Sequence, residues 1–219
     1  MSAASNHRLT IQMDLSGFSF IVYDRNGTIV YKSDGSDADS SYMDVPYHSV
    51  EVYYPTLCYT MIPVDLYSHE TAYSYLESVR ELPADAQVCA LEIPGQKMFL
   101  VYAIGGDHLP EPSLKSARIK RYPLIYSLID SIQTIDGNNK FILSVSEGIV
   151  HIVAAERGRF LFANSFPAED DITALYFITS VVHQVMFNPE LTSIYIKGKI
   201  SNPFRTTLEN YFSKVEFVK

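Results

Sequence analysis

Few residues in this chain have the type and spacing that chemistry requires. The segment Asp14-Leu15-Ser16-Gly17 brings an acid, a hydroxyl and a glycine to one turn. Backbone N–H groups of such a turn could meet a phosphate, and its carboxylate could orient a metal and its waters. A hydrophilic hairpin turn has the same composition and needs no ligand. A second turn, Ser144-Val145-Ser146-Glu147-Gly148, also carries a glycine but sets a negative side chain beside it. A third candidate is Gly198, which follows the apolar run 193–197 and precedes Lys199. Other chemistries find less. The six histidines, His7, His48, His69, His108, His151 and His183, are scattered, with no pair at metal spacing. His151 lies in an apolar run and reads as a satisfied core histidine. Cys58 and Cys89 have no metal or redox spacing and read as reduced, half-buried thiols. The sequence holds no Gly-x-Ser-x-Gly elbow, no P-loop and no dinucleotide fingerprint. The polar loop 33–42 is acidic, but neither its glycine nor a terminal glutamate is in register for a calcium loop.

The elements that must position these turns are strands. Residues 9–34 predict three short antiparallel strands, at about 9–15, 18–23 and 28–32, reversing at Gly17 and at Asp24-Arg25-Asn26-Gly27. Residues 140–165 show the same pattern. Gly17 and Gly27 recur there as Gly148 and Gly158, each 131 residues on, which predicts a repeat without a gap. After the first copy the pattern predicts strands at 49–53 and 56–63, and a helix near 68–80 with Ser68 as its cap. Its apolar stripe is Ala72, Tyr75, Leu76 and Val79. Strands follow at 86–93 and 97–104 across Pro94-Gly95. The Gly/Pro run 105–112 reads as a linker. A helix starts after Pro123, and Lys115, Arg118, Lys120 and Arg121 read as a solvated stretch leading into it. The second copy continues with a helix capped by Asp170 or Asp171. The apolar positions of that helix are Ile172, Leu175, Tyr176, Val182, Val185 and Met186. A strand at 193–197, a helix opened by Asn202-Pro203 and a last strand at 214–218 complete the chain.

Composition narrows the function classes. The chain has 219 residues, 47% hydrophobic and 19% charged, enough for one large or two small buried cores. A net charge of −8 argues against nucleic acid as the main partner, because phosphate binding needs a basic footprint. No apolar run is long enough to span a bilayer, and residues 1–9 hold no apolar signal core, so a cytoplasmic location is expected. Tryptophan is absent while tyrosine occurs sixteen times, many between Tyr42 and Tyr75. Packing against strands is the preferred account of them.

Three antiparallel strands followed by alternating helix and strand is the order of a ribonuclease-H-like domain. Two such domains in one chain is the arrangement of actin-like ATPases. The expected fold is therefore α/β with mixed sheets, in two ribonuclease-H-like subdomains spanning residues 9–112 and 113–219. The segments LSGFSFIVYD, TMIPVDLY, RYPLIYSLIDS, GRFLFANSFP and SIYIKGKIS resemble a family of uncharacterised bacterial proteins with an actin-like ATPase fold. The resemblance runs from about Leu9 to the end. More distantly, the layout is similar to the actin-like cytoplasmic proteins of pilus and secretion assemblies. The chain departs from the family around residues 104–118, where a Gly/Pro segment stands in place of a helix.

The resemblance implies a candidate nucleotide cleft made of Asp14, Ser16, Gly17, Gly148 and Gly198. Two of its parts are degraded. Position 145, which the gap-free alignment matches to Asp14, is valine, and only one adenosine-side glycine, Gly198, is present. A ribonuclease-H-like nuclease is disfavoured too, since Gly198 and Lys199 supply no acid to join Asp14 at a metal. The expected function is a non-catalytic actin-like scaffold with a protein partner or self-association, and with no cofactor. The alternative is an ATP-binding or ATP-hydrolysing protein that uses Mg-ATP in that cleft. A small ligand held there is a third, weaker option.

Overall fold

Leu9, Ile11 and Met13 are fully buried and alternate with half-buried neighbours along β1 (Arg8–Asp14), the period of a strand with one face in a core. The structure is a computed structural model that describes residues 6–14, 17–33, 40–82, 84–105, 114, 118–146 and 148–218, with the side chains of Asp14 and Ser40 outside that set. β2 (Gly17–Tyr23) runs antiparallel to β1, and β3 (Ile29–Ser33) antiparallel to β2. The turn between them is held by Asp24, whose Oδ1 accepts from Asn26 N at 2.8 Å and Thr28 N at 2.9 Å. That local bond is the reason an aspartate begins the turn. β2 was expected to be buried on both faces. Only Phe20 and Val22, on one face, are fully enclosed.

β4 (Ser49–Tyr54) pairs parallel to β1. The chain then forms β5 (Tyr59–Pro63), α1 (Ala72–Glu77), β6 (Gln87–Ile93) and β7 (Met98–Ile104), of which the strands make a separate antiparallel sheet in the order β5-β7-β6. Ala72 and Leu76 of α1 are buried with Val101 and Ala103 of β7. This helix is shorter than its apolar spacing predicts. Ser68 makes no side-chain cap, a 3-10 turn (His69–Thr71) precedes the helix, and Val79 is exposed beyond its end. β8 (Ile119–Pro123) was not expected. Its sequence, IKRYP, has no alternation to reveal a strand, and parallel pairing with β4 makes it one. The first sheet therefore runs β3-β2-β1-β4-β8. The basic residues Arg118, Lys120 and Arg121 precede α2 (Leu124–Thr134), as expected, but lie on that sheet edge; Lys115 and residues 106–112 of the linker lie outside the described residues.

Some of the tyrosines pack on this sheet. The Tyr31 and Tyr42 rings stack at 4.2 Å, with Phe20 5.5 Å from Tyr31, and Met43 and Tyr47 are buried against the same cluster. Aromatic and polar-tipped residues after a 3-10 turn (Ser40–Tyr42) cover this core.

The second sheet follows α2 (Leu124–Thr134). β9 (Asn139–Ser146), β10 (Ile149–Glu156) and β11 (Arg159–Pro167) pair antiparallel, then α3 (Asp171–Gln184), β12 (Ser193–Lys197), α4 (Asn202–Tyr211) and β13 (Lys214–Val218) alternate. The order is β11-β10-β9-β12-β13, with β9, β12 and β13 mutually parallel. Strand order and the sense of every pairing thus match those of the first sheet. Contacts divide the chain into two compact units, Met1–Ile93 with Lys97–Leu124, and Pro94–Gln96 with Ile125–Lys219. β8 lies beyond residue 113, the expected boundary, yet pairs within the first unit.

Both helices of the second unit start where their caps dictate. Asp170 Oδ1 accepts from Thr173 N at 2.7 Å, which selects Asp170 over Asp171 as the cap of α3. Ser201 Oγ accepts from Phe204 N at 3.1 Å and donates to Asp171 Oδ2 at 2.8 Å, so α4 begins one residue before Pro203. Ser201→Ala is expected to lower stability by about 1 kcal/mol, the usual value of an N-cap hydroxyl, in a urea melt.

The two three-strand stretches do not align without a gap. β1 and β2 pair about a turn at residues 15–16, with Asp14 opposite Gly17; β9 and β10 pair about residues 147–148, with Ser146 opposite Ile149. Equivalent strand positions are therefore 132 residues apart, one more than the glycines. The cores agree: Leu9, Ile11 and Met13 correspond to Phe141, Leu143 and Val145, all on their cluster-facing side. A one-residue slip would turn each of these to the other face. The α3 stripe needs correction as well. Ala174, Ile178, Val181 and Val182 are buried, whereas Ile172, Tyr176 and Met186 are exposed. The helix is apolar most of the way round, so spacing alone does not choose the face that packs.

Candidate functional site

In each unit the candidate residues gather where the first strand of the sheet ends. Asp14 closes β1 and pairs with Gly17, the first residue of β2. The Asp14 side chain and all of Ser16 lie outside the described residues, as does Glu147. Gly148 completes the β9–β10 turn, and Gly198 follows the last residue of β12, the parallel neighbour of β9. Gly148 and Gly198 thus share the carboxyl-terminal end of two adjacent parallel strands, the end at which open α/β sheets bind ligands. Both have positive φ, 73° and 100°, which favours glycine. A Cβ on Gly198 would stand 3.6 Å from Ser144 Oγ, and one on Gly148 would stand 3.8 Å from Glu169 Cγ. By strand register the counterpart of Asp14 is Ser146, an uncharged residue, and not Val145.

A polar group that sequence reading missed lies behind this end. Ser144, His151 and Ser165 are register partners across β9, β10 and β11 and form one row. The row is on the sheet face opposite the cluster of Phe141, Leu143, Val150 and Ile152. Ser144 and His151 are almost wholly enclosed. His151 Nδ1 and Ser165 Oγ are 2.6 Å apart, while Nε2 is buried with no hydrogen-bond partner. The expectation of a satisfied core histidine is therefore half correct. Burial alone drives its pKa from 6.5 down to about 3, so the ring is neutral at ordinary pH. No local pattern signals this row, because its members are far apart in sequence and only strand pairing unites them.

Lys197, beside Gly198, joins the same face. Its ammonium donates to Ser127 O at 3.2 Å and to Ser131 Oγ at 2.8 Å, both on α2. Burial holds its pKa below the usual lysine value, with Asp130 opposing. The histidine is enclosed against Ser165, and the lysine ammonium is held by α2. Among the described residues no group of three or more His, Cys, Asp and Glu is placed to hold a metal ion. Nor is any helix among them long and apolar enough to cross a membrane.

Known proteins agree with the fold. A Bacteroides thetaiotaomicron VPI-5482 protein, whose structure is described as having an actin-like ATPase fold and unknown function, is 19% identical to this chain. It matches with a TM-score of 0.74 over 100% of this chain and 93% of its own length. A structure of the PilM-PilN type IV pilus biogenesis complex matches at 9% identity and a TM-score of 0.53, over 97% of this chain and 88% of that one. At such identities the likeness establishes the fold alone, a mixed α/β fold of the actin-like ATPase, ribonuclease-H-like kind. No curated protein matches the sequence. The sequence matches the uncharacterised family described as "Protein of unknown function (DUF3822)" over residues 1–215, and the chain belongs to that family.

Proposed function

We propose that this chain is a non-catalytic, actin-like scaffold, built from two copies of one ancestral module and working by holding a protein partner or another copy of itself. The observation that carries the reading is the outer face of α3. Ile172 is 81% exposed and Tyr176, one turn on, is 64% exposed, on a helix whose other face is buried in the core. Met186 and Leu191, just past the helix, are exposed as well. Large apolar side chains held one turn apart on a rigid helix are what a partner buries. The matching strand orders of the two sheets support the duplication. The uncharged Ser146 at the register equivalent of Asp14, and a single glycine after β12, support the loss of nucleotide chemistry. That a protein of this fold occurs in a PilM-PilN complex is consistent with a scaffolding use.

The test is Ile172→Glu with Tyr176→Glu. Sedimentation velocity at rising concentration, and recovery of bound protein from native extract, are expected to show association in the wild type that falls at least tenfold in the variant. Unchanged association in the variant, or a wild type that stays monomeric and partnerless, would refute the reading. Calorimetric titration with Mg-ATP is expected to give no heat; binding that Asp14→Ala abolishes would establish the nucleotide alternative instead.

A further inference from the structure

A cavity of about 190 Å³ opens between α2 and the β9–β10 sheet. Its walls are Ile129 and Ile132 from α2, Ala155 from β10 and Phe160 from β11, and its polar lining includes Lys140 and Gln133. Gln133 is exposed, whereas Ile132 and Ala155 are buried, so the cavity runs inward from a surface mouth. The space is on the order of six water volumes.

Lys140 is the unusual member. The residue is only 9% exposed, yet no hydrogen bond or ion pair to another described residue holds its ammonium. Register fixes it there: Lys140 pairs with Ala155 on one side and Ser193 on the other, on the sheet face that α2 covers. Its stem is enclosed, while its ammonium keeps access to water at the cavity, as an ammonium without a protein partner must. Lys197, on the same face, is held by protein groups, the Ser127 carbonyl and the Ser131 hydroxyl. Lys140 has a cavity instead. Gln133 Nε2 donates to Ile129 O at 3.4 Å, leaving the amide carbonyl at the mouth to accept from a ligand hydroxyl or amide.

We infer that this cavity is a binding site for a small monocarboxylate, with the carboxylate on the Lys140 ammonium and a short apolar body against Ile129, Ile132, Ala155 and Phe160. The contact would be a charge-assisted hydrogen bond in a partly dry site, the stronger kind. The volume suits a chain of about four to six carbons. Nothing in this site depends on the scaffold reading or on the α3 face.

The probes are sodium butyrate, 1-butanol and inorganic phosphate, each titrated into the full chain with labelled isoleucine and alanine methyl groups. Butyrate is expected to shift Ile129, Ile132 and Ala155 saturably, with a dissociation constant at least tenfold lower than that of butanol, which lacks the charge, or phosphate, which lacks the apolar body. Lys140→Met keeps the stem and removes the charge. It is expected to weaken butyrate at least tenfold and leave butanol unchanged. No saturable shift, shifts confined to other methyl groups, equal affinities for butyrate and butanol, or a stronger response to phosphate would each overturn the proposal. So would undiminished butyrate binding in Lys140→Met. If that variant does not fold, the ratio of butyrate to butanol affinity in the wild type decides alone.

Discussion

Between pH 7 and pH 4 the protein is expected to lose about 3 kcal/mol of stability through His151 alone. The ring is buried to 0% exposure, its Nε2 has no partner, and its pKa falls from 6.5 to about 3. Between those values the unfolded chain binds a proton that the folded chain refuses. Stability therefore rises with pH across this window; it is fully present above about 6.5 and is lost as pH falls toward about 3. No neighbouring charge contributes to the shift; its sole cause is removal from water. Carboxylates elsewhere titrate in the same range, so the measurement is a difference. Urea melts at intervals from pH 7 to pH 4 should show a steeper fall in the wild type than in His151→Gln, by up to one proton. Parallel curves for the two proteins would mean that the ring reaches water in solution.

Phe141→Ala is expected to destabilise the chain by about 4 kcal/mol, the middle of the range for truncating a buried aromatic. Phe141 is fully enclosed on the central strand β9, in a cluster that includes Ile178, Ile194, Phe204 and Leu208 from two helices and a neighbouring strand. Deleting a ring there leaves a void between three elements that support one another and collapse poorly. Tyr176→Ala, on the outer face of α3, should change stability by no more than about 0.5 kcal/mol. Chemical denaturation of both variants separates core from surface on α3's two sides. Similar costs for the two would mean that Tyr176 is covered in solution.

Most strands, the sequence of strands and helices along the second unit and the sites of reversal could be read from the sequence, because alternation of apolar residues and turn glycines are local properties. Residues 140–165 announce β9, β10 and β11, and Asp170 and Asn202-Pro203 announce the starts of two helices. Register could not be read in the same way. Gly17 and Gly148 look equivalent, but one is the first residue of a strand and the other the last residue of a turn, and pairing across the ladder decides which. The strand β8 was hidden for a related reason: Lys120 and Arg121 give it no apolar rhythm, and hydrogen bonds to β4 make it part of the sheet.

The sequence by itself determined that this chain has a duplicated-looking pattern of strands and helices, a net negative charge and no recognisable catalytic motif. Only the tertiary structure decided which polar side chains are enclosed and what each of them meets. Ser144, His151 and Ser165 span 22 positions of the chain yet form one row, and Lys140 reaches the cavity beside α2 through the same sheet geometry. Burial and partnership belong to pairs of distant residues, so no stretch of sequence carries them.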